Sequence, residues 1–259
     1  MRLLAKSLFQ RVAGRRRYQR LFRVVHRAAL IGLNFGVDNY LRSGELRVLD
    51  LVREHSPPGA VVFDVGANIG GWCREVVHSW PRATIYAFEP AKDAFAELTE
   101  AASDSVRCIN MALSDESGRT MLHSVPGMPE LRSLVHRDLG SHGLKMSEYE
   151  LVETGTIDEF CSERGIPSID LLKIDAEGHE LAILRGAAGM LRARRIAFIQ
   201  FEFGGANIDS RTYLRDFVSL LTPDYKIMRV LRDGLVDVHY SEIEEIFVVS
   251  NYFASLISL

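Results

Sequence analysis

The chain has 259 residues, 47% of them hydrophobic and 25% charged, an average globular composition that excludes a wholly disordered, collagen-like or disulfide-scaffold protein. Its formal net charge of −3 hides an asymmetry. Residues 1–27 carry nine Lys and Arg and no acid, so positions 28–259 hold 22 basic against 34 acidic residues and sum to −12.

In the basic N-terminal stretch, Leu3, Leu4, Leu8, Val12, Leu21, Phe22, Val25 and Leu30 recur at mixed three and four spacings between arginines. This predicts an amphipathic basic helix, interrupted near Gly14. Such a helix either packs its apolar face on the body or makes peripheral contact with an anionic membrane or acidic partner through residues 1–30. Apolar runs such as Ala28–Leu33 fall far short of the ~20 residues of a membrane span, and arginines interrupt any secretory apolar region. The expected location is cytoplasmic, with the peripheral contact as an addition; an organelle transit peptide also fits the composition. Cys73, Cys108 and Cys161 form no Cys-x-x-Cys pair and read as buried thiols.

Ser56-Pro57-Pro58-Gly59 ends a preceding helix. From there short β-branched runs alternate with helical patterns, as in a parallel sheet flanked by helices. The predicted elements are strand Val61–Val65, helix Gly71–Ser79, strand Thr84–Phe88, a helix over Ala91–Ala102, strand Val106–Asn110 and an added strand Arg119–Ser124. The Gly/Pro/Ser/His-rich stretch from Val125 to about Met146 reads as an insertion or lid, about 125–150 in all. A helix over Ile157–Arg164, strand Ile169–Ile174, a helix over His179–Leu191 and strand Ile196–Phe201 follow. A helix over Ser210–Leu221 with Ser210 as N-cap, and strands Tyr225–Leu231 and Glu245–Ser250 around a turn at Asp233-Gly234, complete the pattern. The expected fold class is α/β: a doubly wound sheet of about seven strands with an antiparallel edge strand. The expected organisation is a basic helical extension over 1–58 and one domain over 59–259.

The densest chemical signal is the run Val61-Val62-Phe63-Asp64-Val65-Gly66-Ala67-Asn68-Ile69-Gly70-Gly71. A buried strand ends in an acid, turns through small residues and opens a helix, so the backbone can approach a ligand. A dinucleotide fingerprint would need glycine where Asn68 stands, which disfavours an NAD-linked oxidoreductase. Asp64 suits a cationic ligand terminus, such as the ammonium of S-adenosylmethionine, better than a phosphate. In Phe88-Glu89-Pro90, about 20 residues past the turn, Glu89 is placed to accept ribose hydroxyls.

The second cluster is Lys173-Ile174-Asp175-Ala176-Glu177-Gly178-His179-Glu180. Asp175, at a strand end, points into the crevice where doubly wound sheets bind ligands, and Glu202 in Gln200-Phe201-Glu202-Phe203 faces the same crevice. Any transfer to a hydroxyl oxygen requires an acceptor that is oriented and loses a proton. Asp175 or Glu177 could take that proton or fix the acceptor, His179 is the alternative base, and Glu202 could hold neighbouring hydroxyls. Acids at a helix start are also favoured electrostatically without any catalytic role. A divalent cation bridging Asp175 and Glu202 is a possible but disfavoured alternative, because carboxylates around a cationic cofactor and a polyol need no metal.

The segments Phe63–Gly70, Phe88-Glu89-Pro90, Asn110-Met111-Ala112-Leu113-Ser114-Asp115 and Asp170–Glu180, in this order, resemble the FkbM family of S-adenosylmethionine-dependent methyltransferases, with a looser likeness at Ser43-Gly44-Glu45. The resemblance implies a class I methyltransferase fold and O-methylation of a saccharide or another hydroxyl-bearing metabolite. It implies that Asp64, Gly66, Ala67, Asn68 and Gly70 surround the methionine moiety, that Glu89 with Pro90 borders the ribose, and that Asn110 to Ala112 border the adenine. A nucleic-acid methyltransferase is the first rival, but the Asn/Asp-Pro-Pro-Tyr/Phe and Pro-Cys motifs of such enzymes do not occur and an acidic body repels phosphates. A non-catalytic methyltransferase-like scaffold is the second.

Overall fold

The computed structural model describes residues 12–37 and 39–257. Helix α1 (Gln19–Gly32) and the short α2 (Tyr40–Ser43) lead to α3 (Glu45–Glu54). Then come β1 (Val61–Val65), α4 (Gly71–Ser79), β2 (Thr84–Phe88), α5 (Lys92–Ala101) and β3 (Val106–Ile109). A smaller group follows: β4 (Ala112–Leu113), β5 (Gly118–Val125), β6 (Met128–Ser133) and β7 (Glu148–Gly155). The pattern resumes with α6 (Ile157–Arg164), β8 (Ile169–Ile174), α7 (Glu180–Arg185), α8 (Ala188–Arg192), β9 (Ile196–Phe203), α9 (Ala206–Asp209) and α10 (Leu214–Leu221). Strands β10 (Tyr225–Leu231), β11 (Gly234–Asp237) and β12 (Ser250–Leu256) end the fold.

The main sheet has the order β11-β10-β12-β9-β8-β1-β2-β3. Strands β3, β2, β1, β8 and β9 run parallel, with Asp64 of β1 beside Lys173 of β8. The order steps outward from β1 in both directions, so the crevice at the carboxyl ends of β1 and β8 is the switch point where such sheets bind ligands. The doubly wound sheet and its antiparallel edge strand, β11, are as expected. A further antiparallel strand, β12, lies inside the sheet between β9 and β10.

Alternate side chains of β1 enter two cores. Phe63 and Val65 pack with Phe160, Leu184 and Phe217 on one face, whereas Val62 packs with Val48, Val52, Trp72 and Leu98 on the other. Helix α3, within the stretch expected to be an extension, thus lends Val48, Leu49 and Val52 to the core. Trp72 and Trp80 are buried packing residues, and the three cysteines are free thiols, Cys73 and Cys161 buried and Cys108 half-buried.

Several expected boundaries move. The helix over His179–Leu191 is two helices, because Gly186 is pressed onto the chain at Ser114: a Cβ there would lie 2.0 Å from the Ser114 carbonyl oxygen. Ser210 is not a cap; its Oγ bonds Thr212 Oγ1 at 2.8 Å, and α10 begins four residues later. The strand expected at Glu245–Ser250 lies instead at Ser250–Leu256, since the Glu245 carboxylate is committed to the N–H groups of Leu214 and Arg215 at the start of α10. The stretch 125–150 is not a plain loop. It contributes β6 and the beginning of β7 to a second sheet of order β4-β7-β5-β6, and Val125, Leu139 and Met146 bury one another beneath it. Pro129 obscured β6 in the sequence, yet β6 is an edge strand, where a missing N–H is tolerated. The predicted N-terminal helix is present as α1; its part over residues 1–11 lies outside the described residues.

Candidate active site

A cavity of about 760 Å³ opens at the carboxyl ends of β1, β2, β8 and β9. The turn after β1 forms one wall. Gly66 has φ +81°, and a Cβ there would stand 1.9 Å from the Asp175 carbonyl oxygen, so the turns after β1 and β8 can touch only because residue 66 has no side chain. Asn68 also adopts a left-handed conformation, φ +49°, which asparagine tolerates better than most residues.

Glu89, at the end of β2, clasps this turn. Its Oε2 accepts the Asn68 N–H at 2.8 Å and its Oε1 the Ala91 N–H at 2.8 Å. Burial pushes its carboxyl up to about 7, against the pull of those two N–H groups. Pro90, Ala67, Asn68 and Ala112 line the cavity with it. Gly70 and Asn110 are not among the lining residues: Gly70, φ +78°, precedes α4, and Asn110 Nδ2 donates to the carbonyl oxygens of Glu89 and Pro90 at 2.9 and 3.0 Å, holding the β2 and β3 tips together.

Asp64 lines the same cavity but its carboxylate is fully buried and engaged within the protein. Lys173 Nζ lies 3.5 Å from Asp64 Oδ1, and the Cys73 thiol donates to Oδ2 at 3.1 Å. Burial and the neighbouring Asp64 push the Cys73 thiol far up, so it remains a donor. Lys173 also lies 3.3 Å from Asp175 Oδ2 and 5.5 Å from the Trp72 ring centroid. Lys173 has no pattern of its own in the sequence beyond being a lysine near the end of a mostly apolar buried strand, a position that requires an anionic partner.

The opposite wall carries the acids. Asp175, Glu177 and Glu202 come together, with one carboxylate oxygen of each within 4.8 Å of the others. Burial, then the charge of Asp175, raises the Glu177 carboxyl to about 8, while Arg137 pulls it down through a short hydrogen bond. Glu202 is pushed well up by burial and by Asp175, Glu177 and Glu180. Like charges at this separation favour retaining a proton among them. His179 lines the cavity with Nε2 2.9 Å from Ser114 Oγ. Ser114 Oγ donates to Asp115 at 3.0 Å, so Nε2–H of His179 is the donor toward it and Nδ1 remains an acceptor. Burial lowers the His179 pKa and keeps the ring neutral. Glu180, by contrast, is structural: its Oε1 accepts the N–H groups of Ala176 and Gly178, each at 3.0 Å, and holds the turn in shape.

The remaining wall comes from the second sheet and from the N-terminal segment. Ser133, Arg137 and His142 reach in from the stretch expected to be a lid, and Tyr40 stands near Gly71. Ser133 Oγ donates to the Glu177 carbonyl at 2.7 Å, and Arg137 bonds Glu177, so the second sheet braces the acidic wall. No sequence pattern marks Arg137 or Tyr40, because their proximity is created by the second sheet and by the packing of residues 33–37 and 39–44. His123 and His136 meet each other, ring centroids 5.1 Å apart, away from the cavity lining.

The arrangement offers a Gly-rich turn, an acceptor for hydroxyls at Glu89, and carboxylates suited to a cation and to a polyol. It therefore fits a nucleoside carrying a positively charged tail. The acidic trio has the donor chemistry for a hard cation, but Arg137 and Lys173 already answer Glu177 and Asp175.

Comparison with known proteins supplies the lineage. The family model described as "Methyltransferase FkbM domain" matches residues 64–231. The chain is 34% identical over 196 residues to 31-O-demethyl-FK506 methyltransferase FkbM of Streptomyces tacrolimicus, covering 64% of this chain and 72% of that protein. It is 29% identical to 2-O-methyltransferase NoeI of Sinorhizobium fredii, over 69% of this chain and 77% of that protein. It is 28% identical to hexuronic acid methyltransferase AglP of Haloferax volcanii, over 62% of this chain and 64% of that protein.

Proposed function

Because the chain belongs to the FkbM methyltransferase family, with its class I α/β fold, we propose that it transfers the methyl group of S-adenosylmethionine to a hydroxyl oxygen of a saccharide or secondary metabolite. The observation that carries this reading is one cavity holding both a nucleoside-type cradle, the turn 64–70 clasped by Glu89, and a wall of carboxylates suited to orienting a polyol. The names of the relatives, with acceptors that include a hexuronic acid, support an oxygen acceptor of this class.

When bound, S-adenosylmethionine supplies an electrophilic methyl on a sulfonium. In this reading Gly66, Ala67, Asn68 and Gly70 shape the cradle, and Asp64, held by Lys173, fixes its base. Glu89 accepts the ribose hydroxyls with Pro90 beside it, Ala112 borders the adenine, and Asn110 acts from behind the lining by holding the Glu89-Pro90 backbone. Asp175 and Glu177 orient the acceptor hydroxyl and take its proton, Glu202 holds a neighbouring hydroxyl, and His179 Nδ1 is the alternative base. Charge development on the acceptor oxygen is then met by groups whose positions are already fixed by Lys173 and Arg137. No metal enters this scheme, and the acceptor is a small molecule or saccharide rather than a nucleic acid. The catalytic domain spans 59–259 and recruits α3 from the preceding extension, while residues 1–30 serve peripheral contact with an anionic membrane.

The test is transfer of a labelled methyl group from S-adenosylmethionine to a panel of saccharides and hydroxylated metabolites, with the labelled position identified by mass spectrometry. Labelled ether on a hydroxyl supports the reading. Label confined to nitrogen or carbon, or to nucleic acid, overturns it.

A further inference from the structure

Helix α1 is the longest helix among the described residues and contributes nothing to the cavity lining. None of its 14 residues is buried. At about 100° per residue, Leu21, Val24, Val25, Ala28 and Ile31 share one side with Arg20 and Arg27 along its edge, while Arg23 and His26 lie opposite beside the half-buried Phe22 and Leu30. The apolar side faces solvent: Leu21 is 59% exposed, Val24 62%, Val25 53% and Ile31 73%. Left in water, such a face forfeits the burial that stabilises helices of this length in proteins. Arg15, Arg16 and Arg17 extend the charge toward the N-terminus, and no acid occurs before Asp38.

The segment after α1 ties it to the cavity. Phe35 is buried under the Arg229 guanidinium, 4.4 Å from its ring centroid, and the Gly36 N–H donates to the Val249 carbonyl at 2.7 Å. Val249 lines the cavity, as does Tyr40 just beyond. The helix is therefore anchored by its C-terminal end to the rim of the site.

From this geometry we propose that α1 lies in the plane of an anionic lipid bilayer, its apolar side among the acyl chains and its arginines at the head groups, and that this holds the cavity rim at the membrane so that the enzyme meets acceptors carried on lipid. The inference rests on the assignment of residues 1–30 to peripheral contact and gives it an orientation and a purpose. An exposed apolar side bordered by arginines, with Arg15, Arg16 and Arg17 just before it, matches the two-sided chemistry of an anionic interface. A second copy of the same helix would bring arginines together and be repelled.

The test uses the full chain sedimented with vesicles of phosphatidylcholine alone, or of phosphatidylcholine mixed with phosphatidylglycerol, while S-adenosylmethionine binding is followed separately by calorimetry. The expected result is binding to the anionic vesicles only, reduced by salt. It is lost in Leu21→Glu/Val25→Glu and weakened about a hundredfold in Arg20→Gln/Arg23→Gln/Arg27→Gln, at the usual contribution of each arginine near such a surface. Cofactor binding stays unchanged in both variants, since neither touches a buried residue. Equal binding to neutral vesicles, no vesicle binding, or binding indifferent to both variants overturns the proposal. So does self-association abolished by Leu21→Glu/Val25→Glu, which would make a second copy the occupant. Vesicle binding without cofactor binding would instead count against the proposed reaction and leave the membrane helix standing.

Discussion

Lys173 and Asp175 join the buried base of the cavity to its open wall: Nζ of Lys173, on a side chain only 6% exposed, lies 3.3 Å from Oδ2 of Asp175, on a side chain 42% exposed. The same ammonium meets Asp64, which is wholly buried. One cation thus answers two carboxylates, and the first prediction concerns its loss. Lys173→Met leaves the Asp64 charge buried without its counter-ion and costs about 3–5 kcal/mol in chemical denaturation at neutral pH. Adding Asp64→Asn should recover most of it. A double variant no more stable than the single one would show that the pair does not act as described.

Asp175→Asn keeps the shape of the wall and its distance to Lys173 but removes a proton acceptor. Cofactor affinity should stay within about twofold, while turnover falls by about a hundredfold or more, the usual scale of general-base catalysis. Full turnover in this variant would transfer the role to Glu177 or His179.

The carboxyls of Glu89 and Glu180, raised to about 7, and of Glu177, raised to about 8, bind protons more tightly folded than unfolded. The folded chain therefore holds extra protons between about pH 4.5, the ordinary glutamate value, and pH 8. Stability of the free protein should fall as pH rises through that window, read as a lower melting temperature at pH 8 than at pH 5.5. A rise over the same range would contradict the burial of these groups.

In the proposed ribose role, Glu89 accepts two hydroxyls strongly when ionised and loses part of that capacity when protonated. Affinity for S-adenosylmethionine should then increase by up to about tenfold between pH 6 and pH 8, as its carboxyl titrates near 7. The dependence should vanish in Glu89→Gln. A pH profile that survives this substitution would assign the titration elsewhere.

Asp175, Glu177 and Glu202 could crowd around a cation, but Lys173 and Arg137 already supply positive charge to two of them. Turnover should be unchanged after dialysis against a strong chelator. Loss of activity restored by magnesium or manganese would make the trio a metal site.

Much of this was legible in the sequence, for physical reasons. Strands β1, β2, β8 and β9 are predominantly apolar runs, as expected of strands covered on both faces, and each is followed by a turn residue or acid that marks its tip. The acidic residues of the site could be found because they sit at those tips. Other features were not local. Lys173 reads as one more residue of a strand until Asp64 is brought beside it by the parallel register of β1 and β8. Arg137 has no pattern of its own, and its contact with Glu177 depends on a second sheet whose edge strand is disguised by Pro129. The strand expected at Glu245–Ser250 failed because Glu245 caps a helix 30 residues away in sequence, a commitment that no window along the chain reveals. Asp64 is legible as a strand-tip acid, but its partner Lys173 is a tertiary fact.

The central claim is that the turn 64–70 and Glu89 form a cradle for S-adenosylmethionine, and calorimetric titration of that compound into the full chain tests it most directly. Saturable one-to-one binding at pH 8 is expected, weakened about tenfold or more in Glu89→Gln and abolished in Gly66→Val, whose side chain would strike the Asp175 carbonyl. No binding by the unaltered chain, or binding unaffected by either substitution in folded protein, would contradict it.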